Sequence, residues 1–152
     1  MKLEAIVFVG IPGSGKSVFF SQKFIDTHIR INLDMLKTRN REKILIEACF
    51  NAKQSFVVDN TNVKIADREK YILSAKKYGF SPVCYFFKSS LKDCLLRNAQ
   101  RAMNKIIPEP GIISKFKNLE LPSYKEDFEK IYCVSILGNN QFKVEDWQDE
   151  IR

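Results

Sequence analysis

A chain of 152 residues, 45% of them hydrophobic, is long enough to bury one core and short for two, so a single domain spanning 1–152 is expected. No apolar run approaches the roughly 18 residues of a membrane span, which excludes a membrane partner, while the net charge of +7 favours polyanionic ones. Cys49, Cys84, Cys94 and Cys133 stand singly without zinc-site spacing and read as free core thiols. Residues 1–4 run directly into an apolar segment with no leader pattern, so a cytoplasmic protein is expected.

The first predicted strand covers 3–9 and is apolar almost throughout, as a strand buried on both faces must be. It leads into Gly10-Ile11-Pro12-Gly13-Ser14-Gly15-Lys16-Ser17, and a helix is predicted from 17 to about 26. Glycines in this turn let backbone N–H groups close on an anion, and the helix start adds a positive dipole end. The same strand–turn–helix could be a plain connection, but the full pattern is a phosphate-binding loop. On that reading Gly10 to Ser17 bind ATP, Lys16 reaches the β- and γ-phosphates, and the Ser17 hydroxyl ligates Mg²⁺.

Downstream, the pattern predicts a strand over 28–31, a long helix over 34–53 with a core stripe of Ile44, Leu45, Ala48, Cys49 and Ala52, and a strand over 55–58. A helix over 64–78 stopped by Gly79, a strand over 81–87, and a helix from Ser89 or Ser90 to about 105 follow. Pro108, Pro110 and Gly111 break the chain before a short helix, and 131–137 is the last predicted strand. Residues 138–152 read as a polar tail whose Phe142, Val144 and Trp147 pack back on the body. The expected class is therefore α/β: a three-layer P-loop NTPase fold with a central parallel sheet of about five strands, flanking helices and a helical lid at about 97–117.

Ligands of open parallel sheets sit beyond the carboxyl ends of the strands. Asp34 follows the second strand, and Asp59-Asn60-Thr61-Asn62 closes the third. Asp34 is either the cap of the next helix or a base for an attacking hydroxyl, the single histidine (His28) lying at the wrong end of its strand. Asp59 and Asn60 are candidates for the metal and the substrate, or else turn formers. Arg97 and Arg101 lie four apart on the 90–105 helix, suited to charge developing on a transferring phosphoryl group, or else a solvated face. Between Lys88 and Lys117 seven basic residues (Lys88, Lys92, Arg97, Arg101, Lys105, Lys115, Lys117) face two acidic ones (Asp93, Glu109).

The loop Gly10 to Ser17, Ile31-Asn32-Leu33-Asp34, Asp59-Asn60-Thr61-Asn62, Tyr78-Gly79-Phe80 and Arg97-Asn98-Ala99-Gln100-Arg101 together resemble the polynucleotide 5′-hydroxyl kinases over about 3–137. The likeness is to the kinase half of the phage kinase–phosphatase and its eukaryotic repair relatives. That resemblance implies an ATP-dependent, Mg²⁺-assisted kinase that phosphorylates the 5′-hydroxyl of a DNA or RNA end. It implies Asp34 as the base, Arg97 and Arg101 as lid arginines on the donor phosphates, Lys37 and Arg39 on the acceptor's 3′-phosphate, and Asp59 and Asn60 lining the site. The family's Arg-Asp-Asp is Leu33-Asp34-Met35 here, which bears on acceptor binding more than on chemistry. No Asp-x-Asp-x-Thr occurs, so a phosphatase or ligase would be a separate partner. Two alternatives remain open: a P-loop kinase acting on a small molecule, and an ATPase switch, a GTPase being disfavoured by the lack of Asn-Lys-x-Asp and Asp-x-x-Gly.

Overall fold

In the computed structural model, residues 2–149 are described. Strands β1 (Glu4–Val9), β2 (Ile29–Ile31), β3 (Phe56–Val58), β4 (Ser81–Phe87), β5 (Lys130–Gly138) and β6 (Gln141–Asp146) form one sheet in the order β2-β3-β1-β4-β5-β6. The first five run parallel, and β6 pairs antiparallel with β5. Helices α1 (Lys16–Lys23), α2 (Leu33–Leu36), α3 (Arg39–Ala52), α4 (Ile65–Lys77), α5 (Leu91–Ala99) and α6 (Glu109–Asn118) complete the α/β architecture. Among the described residues no helix is long and apolar enough to cross a membrane.

β1 is the centre because both of its faces are apolar. Ala5, Val7 and Val9 pack with Ile46, Cys49 and Phe50 of α3 and Tyr71, Ile72 and Ala75 of α4. Ile6 and Phe8 pack on the opposite face with Phe19 and Phe20 of α1 and with Phe24. The Phe8 ring meets Phe87 edge-on at 4.9 Å and Phe19 at 6.0 Å, so aromatic contacts fix α1 against the sheet. Each such fully buried side chain contributes about 1.5–3 kcal/mol. That packing holds the carboxyl end of β1 rigid where the glycine-rich loop leaves it.

Four expectations are corrected. The sheet has six strands, because 141–146 of the expected polar tail is a strand; Phe142 packs on Phe19 (5.1 Å between rings) and Trp147 on Phe86 (5.4 Å). Residues 150–152 of that tail lie outside the described residues. The long helix is two: Lys37 adopts φ 75° after α2, and the Thr38 hydroxyl caps α3 by accepting from the Arg41 N–H. The buried stripe of α3 is Glu42, Ile46, Cys49 and Phe50, while Ile44, Ala48 and Ala52 are exposed. The helix carrying the arginines ends at Ala99, a 3₁₀ turn covers Met103–Lys105, and the buried Asn98 clamps the returning chain through both Ile107 N–H and C=O. Arg97, Arg101 and Lys105 therefore do not share one continuous helix face.

Candidate active site

The turn after β1 needs glycine at a definite place. Gly13 adopts φ 85°, and a Cβ there would lie 2.6 Å from the Cys94 carbonyl oxygen of α5. Ile11 packs into a cluster with Val63, Cys94 and Ile112, and Arg97 donates to the Gly13 carbonyl (2.8 Å) and the Ser89 hydroxyl (3.0 Å). The loop is thus braced from α5. Arg97 acts here as a strut on the loop, in contact with the residues that would cradle phosphates.

Lys16 curls back over this loop, its ammonium donating to the carbonyls of Gly10 and Ile11 at 2.9 Å each. Burial lowers its pKa to about 8, opposed chiefly by Asp59 and also by Asp34, while Arg101 pushes the same way as burial. Asp59, Asp34 and Arg101 thus all lie near enough to Lys16 to act on its charge. Arg101 itself is exposed, just past the end of α5.

Ser17, in the first turn of α1, donates its hydroxyl to Asp59 Oδ2 at 3.2 Å. Asp59 closes β3 and is only 2% exposed. Its charge is met by Arg30 of β2, whose Nε lies 2.8 Å from Oδ2 and whose Nη2 donates to Ser17 Oγ at 2.9 Å. A hydroxyl and a carboxylate side by side suit Mg²⁺, which takes one or two protein oxygens and fills its octahedron with phosphate and water. Among the described residues no group of three His, Cys, Asp or Glu is gathered, so a harder, all-protein metal cage has no counterpart here.

Asp34 is not the cap. That task falls to Asn32, whose side-chain oxygen accepts from Met35 N–H at 3.0 Å. Asn32 also donates to the Asp59 carbonyl (2.6 Å), and Asn60 accepts from Leu33 N–H (2.8 Å) while donating to Glu42 (3.2 Å). Two side-chain amides therefore bolt α2 to the end of β3 and leave the Asp34 carboxylate exposed on its first turn. Asn60 and Arg39, expected on the substrate, are engaged with protein: Arg39 bonds both Glu42 oxygens (3.1 and 3.2 Å) and the Tyr71 hydroxyl. Lys37 is exposed at the end of α2.

Sequence reasoning missed the charged residues that hold this arrangement. Buried Glu42 accepts from Tyr71, Arg39 and Asn60. Arg68 is wholly buried, paired through two nitrogens with Glu126 (2.8 and 3.0 Å) and donating to the Asn62 and Glu120 carbonyls. Asn62 in turn donates to the Phe8 carbonyl, tying the loop after β3 to β1. Lone charges in polar stretches read as surface, so no local signal marks them. Arg30 had one usable signal. In the parallel register it faces Val57, two residues before Asp59 and on the same side of the sheet.

The family model of the AAA domain matches residues 6–110. A protein of Schizosaccharomyces pombe named as a bifunctional polynucleotide phosphatase/kinase is 31% identical over 133 residues, covering 84% of this chain and 32% of its own length. A protein of Acanthamoeba polyphaga mimivirus, provisionally given the same name, is 32% identical over 145 residues, covering 88% of this chain and 34% of its own. The chain thus spans about a third of the length of these curated relatives. In fold it is similar to a gluconokinase from Sinorhizobium meliloti, with a TM-score of 0.62 at 19% identity over 92% of this chain and 87% of that one. With a glycine-rich loop between β1 and α1, three strand ends converging on it, and the matched segment running from β1 to the start of α6, the chain belongs to the AAA domain family.

Proposed function

We propose that this chain is an ATP-dependent phosphotransferase that moves the γ-phosphoryl group to the 5′-hydroxyl of a DNA or RNA end. The observation that carries the reading is the exposed Asp34 carboxylate, relieved of capping by Asn32 and near enough to Lys16 to act on its charge. The names of two relatives that match most of this chain support the same acceptor.

In this mechanism the loop amides of Gly10 to Ser17 hold the triphosphate, and Lys16 exchanges its carbonyl partners for phosphate oxygens. Ser17 and Asp59 would hold Mg²⁺, which would supply positive charge against the phosphates. The acceptor oxygen attacks in line as its proton passes to Asp34. The new O–P bond forms while the bond from γ-phosphorus to the bridging oxygen breaks, and ADP departs with that electron pair. Arg101, and Arg97 from its strut position, add positive charge where the transferring group becomes electron-rich, with 97–117 serving as the lid. Lys37, exposed at the end of α2, offers a cation for the acceptor's 3′-phosphate, while Arg39 stays on Glu42 and Tyr71. The free thiols Cys49, Cys84, Cys94 and Cys133 suit a cytoplasmic setting. Phosphatase chemistry is not part of the proposal.

The test is an acceptor panel with γ-labelled ATP and Mg²⁺: 5′-hydroxyl DNA, 5′-hydroxyl RNA, nucleosides and sugars. Label on either oligonucleotide is the expected result. Label only on a nucleoside or sugar would replace the acceptor while keeping the chemistry, and label on none would overturn the proposal.

A further inference from the structure

The arginine on β2 is a charged side chain at the site that the mechanism does not use. Arg30 spans two elements, its Nε on Asp59 Oδ2 at the end of β3 and its Nη2 on Ser17 Oγ at the start of α1. The Ser17 hydroxyl completes the triangle by donating to the same carboxylate oxygen at 3.2 Å. These are the two oxygens assigned above to Mg²⁺, so this inference rests on that reading.

We propose that Arg30 is a displaceable counter-cation of the metal seat. It neutralises Asp59 and orients Ser17, and a divalent ion must push its guanidinium aside to be held by the same pair. The argument begins with Asp59, a carboxylate only 2% exposed, which needs a positive partner at all times. The fork of an arginine reaches two acceptors on separate elements at once, which a lysine ammonium does less well. The Ser17 oxygen gives its proton to Asp59 and one lone pair to Arg30. An ion bound about 2.1 Å from that oxygen would sit against the guanidinium, and two cations sharing one small site repel. The Arg30 side chain is 31% exposed and comes from the outermost strand of the sheet, so it has solvent to swing into. Arg30 thereby sets how much metal the site needs, and the metal-free protein keeps its buried carboxylate paired.

The experiment follows metal binding directly. Mn²⁺ is titrated into the full chain with a non-hydrolysable ATP analogue, free ion being read by electron paramagnetic resonance, alongside melting temperature with and without metal. Arg30→Gln should lower the half-saturating metal concentration about three- to tenfold, the scale of a partly screened like-charge contact. Its metal-free melting temperature should fall, and metal should restore more of it than in the wild type. Arg30→Lys keeps the charge but loses the bridge, and should shift both readings in the same direction by less; it carries the test alone if the glutamine variant does not fold. Unchanged or weaker metal binding in both variants overturns the proposal. Ser17→Ala separates the layers: if it titrates like the wild type, the metal seat itself is misassigned. If it binds metal poorly while the Arg30 variants bind no tighter, only the role of Arg30 fails.

Discussion

Lys16 shows two opposed demands on one side chain. Its charge is needed for phosphates, yet burial drags its pKa from 10.5 to about 8. A lysine whose folded pKa lies below its unfolded one destabilises the protein fully below about pH 8, and that penalty fades as pH rises to the unfolded value. Lys16→Met should therefore raise the melting temperature at pH 7, with the advantage shrinking toward pH 10.5, even as ATP binding is lost. A variant less stable than the wild type at pH 7 would contradict this, as would an advantage independent of pH. Gly13→Ala combines a strained φ of 85° with a 2.6 Å approach to the Cys94 carbonyl, and should cost about 1–3 kcal/mol or more by denaturant titration. At this scale the loop was legible because glycines, Lys16 and Ser17 form a contiguous pattern with one physical purpose. Arg30 and Glu42 were not, since each is a single charge whose partners arrive from other strands and helices.

Among elements, the connections after β3 decide whether α2 holds its base. Arg68 joins α4 to the 3₁₀ turn Tyr124–Glu126 through a fully buried ion pair and also satisfies the carbonyls of Asn62 and Glu120. Arg68→Met leaves Glu126 buried and uncompensated, and should cost about 3–5 kcal/mol in equilibrium unfolding. A loss near zero would mean the pair is dispensable. Glu42 works through Asn60 on the backbone of Leu33, next to Asp34. Glu42→Leu should lower kcat while leaving the KM for ATP unchanged, and Glu42→Gln, which keeps an acceptor for Asn60, should recover much of the rate. The alternation of strands and helices was readable from apolar runs such as Ile6 to Val9 and Phe56 to Val58. The breaks at Lys37 and after Ala99 were not, because Thr38 and Asn98 act through side-chain bonds that periodicity does not register. β6 escaped notice because five of its six residues are exposed, leaving only Phe142 to point inward.

Across the whole molecule, the sheet order brings the ends of β1, β2 and β3 side by side, so residues as distant in sequence as Ser17 and Asp59 share a hydrogen bond. Sequence reasoning could place each at a strand end, but not on which side chains they would close. The net charge of +7 should show itself in solution. Oligonucleotide affinity should fall linearly with salt on logarithmic axes, by about 0.7 per phosphate contacted, and a flat response would argue against backbone contacts. One comparison reads directly whether the acid at position 34 takes the proton of a nucleic-acid 5′-hydroxyl. Transfer from γ-labelled ATP to a 5′-hydroxyl oligonucleotide is measured for the wild type and for Asp34→Asn, with ATP binding followed in the same preparations. The wild type should label the end, and the variant should lose at least about a hundredfold in rate with ATP affinity intact. An Asp34→Asn protein that keeps most of its rate would contradict this.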